Sequence, residues 1–230
     1  MYSRIISIKN KFLDYFNFDK NRNIRNYLTS TYKKKNNQFF DYGVGYFYQS
    51  SNKLGIRGLR DSLYRKKIID IDNLTKGKKI LDIGTNSGFL LLELENNFDY
   101  ALGIDYNPQL IEIANKSKEY LEIKNIDFKV QNFEKDTIKE KFDIILSLAN
   151  HHTYDKGISS TDLYFEKILS IISDDGFLIF ESHHPIIEND EKFHYIIDKY
   201  KNKFQIIKKK KYKINNFFDN GRNLVIMKKN

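Results

Sequence analysis

The sequence predicts an α/β protein with a mostly parallel, doubly wound sheet that holds its ligand at the carboxyl ends of the strands. Three observations carry this expectation. From position 79 onward, short apolar runs alternate with segments of helical apolar spacing. The first run breaks into a turn with two glycines and resumes as a helix, Ile80-Leu81-Asp82-Ile83-Gly84-Thr85-Asn86-Ser87-Gly88-Phe89-Leu90. The second, Gly103-Ile104-Asp105-Tyr106-Asn107, ends in a carboxylate. Strands joined by helical crossovers are parallel, and right-handed crossovers bring the loops after them to one edge.

Residues 1–77 are expected to form a helical and aromatic cap. Ile5, Ile8, Phe12 and Phe16 share one side of an amphipathic helix, opposite Arg4, Lys9, Lys11 and Asp14, and such a stripe is expected to pack inward. The stretch from Phe39 to Tyr48 is dense in aromatic residues and glycine. It suits a loop closing over a planar or sugar ligand, with Tyr42 as a contact, or equally a small core under the cap. In Gly55 to Arg65, the residues Arg57, Arg60 and Tyr64 fall on neighbouring turns of a helix start, an arrangement suited to a carboxylate or phosphate.

The second unit runs from 78 to 230. Strands are expected at Lys79 to Ile83, Ala101 to Asp105, Asp127 to Gln131, Phe142 to Leu148 and Gly176 to Glu181. Helices are expected at Phe89 to Asn96, Pro108 to Leu121, Thr161 to Ile172 and Asp190 to Lys201, with Pro108 suited to a first helical turn. Phe204 to Ile214 and Asn223 to Met227 read as two closing strands joined at Asp219-Asn220-Gly221.

With 230 residues and 40% hydrophobic content, the chain can build one sizeable core with a small appended cap. It has no cysteine, which excludes disulfides, thiolate metal sites and a cysteine nucleophile. No apolar run approaches the length of a membrane span, and Met1 to Asn10 lack the core of a signal peptide, so a soluble cytoplasmic protein is the expectation. The net charge of +9 suits an anionic partner. However, lysine is spread throughout, and the clusters Lys33 to Lys35 and Lys208 to Lys211 come without a recognisable RNA module.

The glycine turn points to a nucleotide, because a side chain there would block the ligand and the following helix offers free N–H groups. Asp105 follows at the place of a ribose-binding carboxylate, roughly 20 residues on. The loop lacks both the dinucleotide G-x-G-x-x-G pattern and the Gly-Lys-Ser/Thr of a phosphate loop. Asp82-x-Gly-x-x-x-Gly resembles motif I of the class I S-adenosylmethionine-dependent methyltransferases, with Asn86 in place of the usual middle glycine. Asn tolerates the backbone angles that such a turn requires. An acid-led loop without lysine also suits a sulfonium and an ammonium better than phosphates.

The resemblance covers roughly residues 78 to 230. It implies a Rossmann-like class I methyltransferase fold, with a seven-stranded, mostly parallel sheet and one antiparallel strand, and S-adenosylmethionine as cofactor. It further implies that Asp82, Gly84, Thr85, Asn86 and Gly88 border the methionine end, and that Asp105 takes the ribose. Tyr106 is then placed near adenine, Asn132 and Phe133 after the third strand near its amino group, and Leu148 at the end of the fourth.

Four of the five histidines occur as doublets, His151-His152 after the fourth strand and His183-His184 after the fifth. Methyl transfer to a hydroxyl needs a base near neutral pH, and His151, His152 and His183 are the candidates. Pocket lining is the plainer role for them. Asn150 and Glu181, beside the doublets, are candidate acceptor contacts. Glu181 with His183, and Asn150 with His152, also have the spacing of a small metal site, but no helix-spaced Glu-x-x-His pattern supports one and none is expected. Asn150-His151-His152-Thr153 lacks both prolines of the loop that base-directed N-methyltransferases carry. The expected activity is therefore O-methylation of a small metabolite or glycan or sugar-phosphate precursor. An RNA or tRNA methyltransferase using the basic surface is the alternative, and a silent cofactor-binding partner protein is a third.

Overall fold

The computed structural model describes residues 2–17, 19–33, 46–150, 161–182, 190–213 and 221–230. Four helices, α1 (Tyr2–Tyr15), α2 (Arg22–Lys33), α3 (Ser62–Ile69) and α4 (Asp72–Thr75), precede the first strand among these residues. Then come β1 (Lys79–Ile83), α5 (Phe89–Leu94), β2 (Tyr100–Asp105), α6 (Pro108–Tyr120), β3 (Ile126–Val130) and β4 (Phe142–Leu148). The described chain closes with α7 (Thr161–Ile171), β5 (Ile172–Glu181), α8 (Asp190–Lys199), β6 (Phe204–Tyr212) and β7 (Arg222–Lys229).

The strands form a seven-stranded sheet in the order β3-β2-β1-β4-β5-β7-β6. β1 to β5 pair in parallel, and β7 runs antiparallel to both β5 and β6. Its order reverses beside β1, and a ligand crevice opens at such a switch point. Register fixes what meets there: Ile83 lies beside Ile104, Leu148 beside Glu181, and Glu181 beside Leu224. The carboxyl ends of β1, β2, β4 and β5 therefore share an edge with the start of β7.

Local chemistry sets the element boundaries. Asn107 caps α6 by accepting hydrogen bonds from the Gln109 and Leu110 amides, and Pro108 occupies the first turn, where its missing N–H costs nothing. Asp61 caps α3 through the Tyr64 amide. β1 is buried after its first residue, as a central parallel strand covered on both faces must be. Ile80, Ile144 and Ile179 point into one apolar cluster, and Leu81, Ile145 and Leu178 into the other. Leu28, Phe47, Leu54 and Ile56 pack in the same cluster as Ile80 and Phe89, so the N-terminal segment shares a core with the sheet.

The apolar stripe of α1 departs from the expectation that it packs inward. Ile5, Ile8, Phe12 and Phe16 are 58%, 64%, 63% and 52% exposed, and the buried side of the helix is polar. Asp14 accepts from the Tyr46 hydroxyl at 2.6 Å, the Arg57 amide at 2.7 Å and the Arg57 guanidinium at 2.6 Å. Asn10 donates to the Gly58 carbonyl at 3.0 Å. A buried carboxylate must keep such donors, and this requirement sets the helix rotation.

The aromatic stretch ends in core. Tyr46 and Phe47 are buried, and the Phe47 ring lies 5.6 Å from Phe89. β5 starts earlier than expected, at Ile172, directly where α7 ends. Lys208 to Lys211 lie on β6, an edge strand, where lysines discourage pairing with another chain. The expected turn at Asp219-Asn220-Gly221 falls outside the described residues except for Gly221.

Candidate active site

The loop between β1 and α5 is held from three sides. The Thr85 amide donates to the Ile104 carbonyl of β2 at 2.9 Å, and the Thr85 hydroxyl donates to Asp82 at 2.7 Å. The Asn86 amide donates to Asp105 at 3.0 Å, so the acid that closes β2 is tied to the loop that follows β1. Gln49 spans the turn from above: its side-chain amide donates to the Thr85 carbonyl at 3.2 Å, and its oxygen accepts from the Phe89 amide at 3.0 Å. That second bond satisfies one of the orphan donors of the α5 N-terminus.

Gly84, Asn86 and Gly88 all have positive φ, of 68°, 57° and 71°. Asn86 thus adopts the left-handed backbone that a glycine commonly supplies. At Gly88 the reason for glycine is also steric, because a Cβ there would lie 2.5 Å from the Phe128 ring and 2.9 Å from the Ala114 Cβ.

Asp82 and Asp105 are both buried. Burial pushes Asp82 up to about 7, despite the Thr85 hydroxyl and the field of Arg65, and pushes Asp105 up to about 6, despite the backbone amides of Asn107 and Asn86. Neither forms an ion pair among the described residues. Two raised carboxyls beside a loop with no lysine make a site that gains by receiving a cation. This donor set fits S-adenosylmethionine, which carries an ammonium and a sulfonium and no phosphate. Tyr106, beside Asp105, is 46% exposed.

After β4 the chain turns sharply at Ala149, whose φ of 59° is unusual for a residue with a side chain. The turn returns Asn150 over β1. The Asn150 side-chain amide donates to the Ile83 carbonyl, and its oxygen accepts from the Ser147 hydroxyl at 2.9 Å and the Tyr164 hydroxyl at 3.0 Å. Asn150, expected to touch acceptor, is thus committed to bracing the strand ends. Its Cβ stands 3.1 Å from where a Gly84 Cβ would be, so it also packs over the glycine turn.

Glu181 is likewise committed. It is fully buried and accepts from Arg65 at 2.9 Å, Arg222 at 3.0 Å and the Tyr212 hydroxyl. Burial would raise this carboxyl, but Arg65, Arg222 and the Tyr212 hydroxyl outweigh it and hold Glu181 below its usual range. Arg57 is paired with Asp14 of α1 and so is drawn to the cap helix. Tyr64, 41% exposed, stands on the surface of α3.

Asn132 uses its side-chain oxygen to accept from the Glu134 and Lys135 amides at 2.9 and 3.3 Å, which closes a local turn and occupies the acceptor expected for adenine. Phe133 is buried in the sheet core, edge-on to Tyr164 at 5.2 Å. Leu148 is partly buried against the cluster on the other face. His151, His152, His183 and Tyr42 lie outside the described residues.

Several residues of this region carry no local sequence signal. Gln49, Arg222 and Tyr48 come from segments far from the glycine loop, and only the folded chain brings them to the strand ends. Among the described residues, no group of three His, Cys, Asp or Glu side chains is arranged to hold a metal ion.

Comparison with known proteins agrees with this geometry. A family model described as a methyltransferase domain matches residues 74–222, more than half of the chain. Release factor glutamine methyltransferase of Aliivibrio fischeri is 29% identical over 111 residues, 46% of this chain and 39% of that protein. EEF1A lysine methyltransferase 2 of Mus musculus is 31% identical over 114 residues, 47% of this chain and 42% of that protein. The chain thus spans about two fifths of the length of these relatives.

Among solved structures, the N-methyltransferase NodS of Bradyrhizobium japonicum, in complex with S-adenosyl-L-homocysteine, superposes with a TM-score of 0.60. It is 13% identical, and the match covers 73% of this chain and 86% of that one. Magnesium protoporphyrin IX methyltransferase of Synechocystis, with bound S-adenosylmethionine, gives 0.56 at 16% identity, over 74% of this chain and 78% of that one. At these identities the structural likeness speaks for the fold. With the family model matched over most of the sheet and the acid-led glycine loop at its switch point, the chain belongs to the methyltransferase-domain family, the class I S-adenosylmethionine-dependent methyltransferases.

Proposed function

We propose that the protein methylates an oxygen of a small metabolite, or of a glycan or sugar-phosphate precursor. The supporting observation is the cover over the strand ends. Gln49 is bonded to the glycine loop, Ser50 to Ser62 and Arg65 to Glu181, so one continuous stretch of chain crosses the edge where the acceptor must enter. A covered entrance favours a compact acceptor over a folded protein or RNA. The curated relatives are named for glutamine and lysine methylation, and they share only part of their length with this chain.

When bound, S-adenosylmethionine supplies an electrophilic methyl group on sulfur. The chain's part is to bind, orient and deprotonate. Asp105 would accept hydrogen bonds from the ribose hydroxyls, Asp82 with the loop from Gly84 to Gly88 would border the methionine end, and Tyr106 would lie near adenine. His151, His152 or His183 takes the proton of the acceptor hydroxyl. Support for a shared pocket mouth comes from register, since Leu148 and Glu181, the last residues of the strands that precede the two doublets, are paired neighbours in the sheet.

Replacing each of the three histidines in turn, at saturating cofactor, is expected to lower turnover about 10²- to 10⁴-fold at the one that serves as base. Unchanged turnover in all three variants refutes the assignment. The exposed lysines of β6 favour the RNA or tRNA reading instead, and steeply salt-dependent RNA binding would establish it.

A further inference from the structure

Helix α1 is turned the opposite way from an ordinary surface helix. Its apolar stripe faces outward, with Ile5, Ile8, Phe12, Tyr15 and Phe16 all more than half exposed, while Ser7, Asn10 and Asp14 face the protein. This rotation is fixed by bonding. Asp14 receives hydrogen bonds from Tyr46 and Arg57 and Asn10 donates to Gly58, so turning the helix over to bury the stripe would strip a carboxylate of its donors. The stripe is also contiguous. The Phe12 and Phe16 rings are 4.6 Å apart, and Tyr15 lies edge-on to Phe16 at 5.1 Å. Single apolar side chains at a surface are ordinary, whereas a joined patch of them marks an interaction site.

Charge around the stripe selects the partner. On a helix of this pitch, Lys9 falls on one flank of the stripe and Lys11 on the other. Lys9 is exposed and Lys11 partly so. Asp14, the only acid in α1, is buried against Arg57, so the outward side carries apolar groups and lysines without a carboxylate. A second copy of the chain would bring the same lysines and no acid to meet them, and the net charge of +9 adds repulsion between copies. A bilayer of anionic lipid offers both complements. Its acyl chains receive the rings, and its headgroups receive the ammonium groups at the ends of lysine stems that lie along the apolar boundary. With 14 residues, α1 is about 21 Å long, too short to span a bilayer, so it would lie in the plane of the surface.

We propose that the outward face of α1 docks the protein on an anionic membrane surface, with Ile8, Phe12 and Phe16 entering the apolar boundary and Lys9 and Lys11 meeting the headgroups. The surface is built by α1 and does not rest on the methyltransferase reading. Docking of this kind is reversible and weakens with salt, because part of the attraction is between exposed charges.

The test is flotation of the full chain with vesicles of phosphatidylglycerol and phosphatidylcholine in about equal parts, against vesicles of phosphatidylcholine alone. The anionic vesicles are expected to carry the wild type, and the neutral ones at least about tenfold less of it. Ile8→Ser combined with Phe12→Ser, both at exposed positions, is expected to lower flotation with the anionic vesicles at least about tenfold while the urea midpoint stays unchanged. Because the chain contains no tryptophan, Phe12→Trp places a single indole in the middle of the stripe, and its emission is expected to shift to the blue on anionic vesicles. Failure of the wild type to float, or equal flotation by the wild type and the serine variant, overturns the proposal. So does unshifted indole emission in a Phe12→Trp protein that floats, which would place the contact on another basic face, such as the lysines of β6. Self-association of the wild type that the serine substitutions abolish, without flotation, would assign the stripe to a second copy and likewise overturn the proposal.

Discussion

At the scale of single residues, the two acids of the cofactor loop work against the stability of the free protein. Asp82 and Asp105 titrate near 7 and 6 in the fold, above their usual range near 3.8, because burial disfavours their charge. The folded state therefore binds more protons than the unfolded chain between about pH 4 and pH 7. Their contribution to stability is full below about pH 4 and is lost as pH rises through the folded values. Asp82→Asn removes one buried charge and keeps an acceptor for Thr85. It is expected to raise the stability of the ligand-free protein at pH 8 by at least about 1 kcal/mol and to weaken cofactor binding. Urea denaturation and calorimetry on the same samples check both effects, and a variant less stable than wild type at pH 8 contradicts the account.

Both acids were visible in the sequence, Asp82 two residues before the first glycine of the loop and Asp105 at the close of the second apolar run. Asn132 shows a local constraint that its place after the third strand does not reveal. Its side chain finds two backbone donors within three residues, and a short polar side chain next to a turn takes such partners first.

At the scale of elements, the segment from 46 to 62 places the glycine loop as much as β1 does. Gly58 shows how tightly the segment is threaded, because a Cβ there would lie 2.0 Å from the Gln49 carbonyl carbon. Gly58→Ala must push the Gln49 backbone away and loosen its bonds to Thr85 and Phe89. The expected cost is about 1–3 kcal/mol of stability together with weaker cofactor binding. Thermal unfolding with and without S-adenosylhomocysteine measures both, and a variant matching wild type in both would show that the crossing is slack.

Strands and helices were legible because their apolar periods are long and regular, and the parallel order followed from their alternation. The orientation of α1 was not. Its apolar stripe implied burial, but the three donors that gather on Asp14 come from residues 46 and 57, and no helical pattern contains them.

At the scale of the whole molecule, Glu181 joins the N-terminal helices to the far side of the sheet through Arg65 of α3 and Arg222 of β7. Its carboxyl is held below the usual value of 4.5. The stability it contributes is present above that value and lost as pH falls through the depressed one. Glu181→Gln leaves two guanidiniums buried without their carboxylate. It is expected to cost about 3–5 kcal/mol at neutral pH, with the gap to wild type narrowing in acid. Denaturant titrations at pH 7 and pH 3.5 test this, and an equal gap at both would show that charge is not the cause.

Among the described residues no helix is long and apolar enough to cross a membrane. What the sequence withheld at this scale was the meeting of Tyr48, Arg65 and Arg222, since neither charge count nor spacing relates positions so far apart. The cofactor loop, by contrast, is contiguous in the chain and so could be read directly.

The central claim is that the acid-led glycine loop and Asp105 together hold an adenosyl sulfonium. Calorimetric titration of wild type and Asp105→Ala with S-adenosylhomocysteine tests it most directly, with NADH and ATP as controls. Binding by the wild type, a loss of about 10- to 150-fold in the variant and no binding of the controls is the expected result. Indifference to S-adenosylhomocysteine alongside uptake of NADH or ATP, or equal affinity in the two proteins, would contradict it.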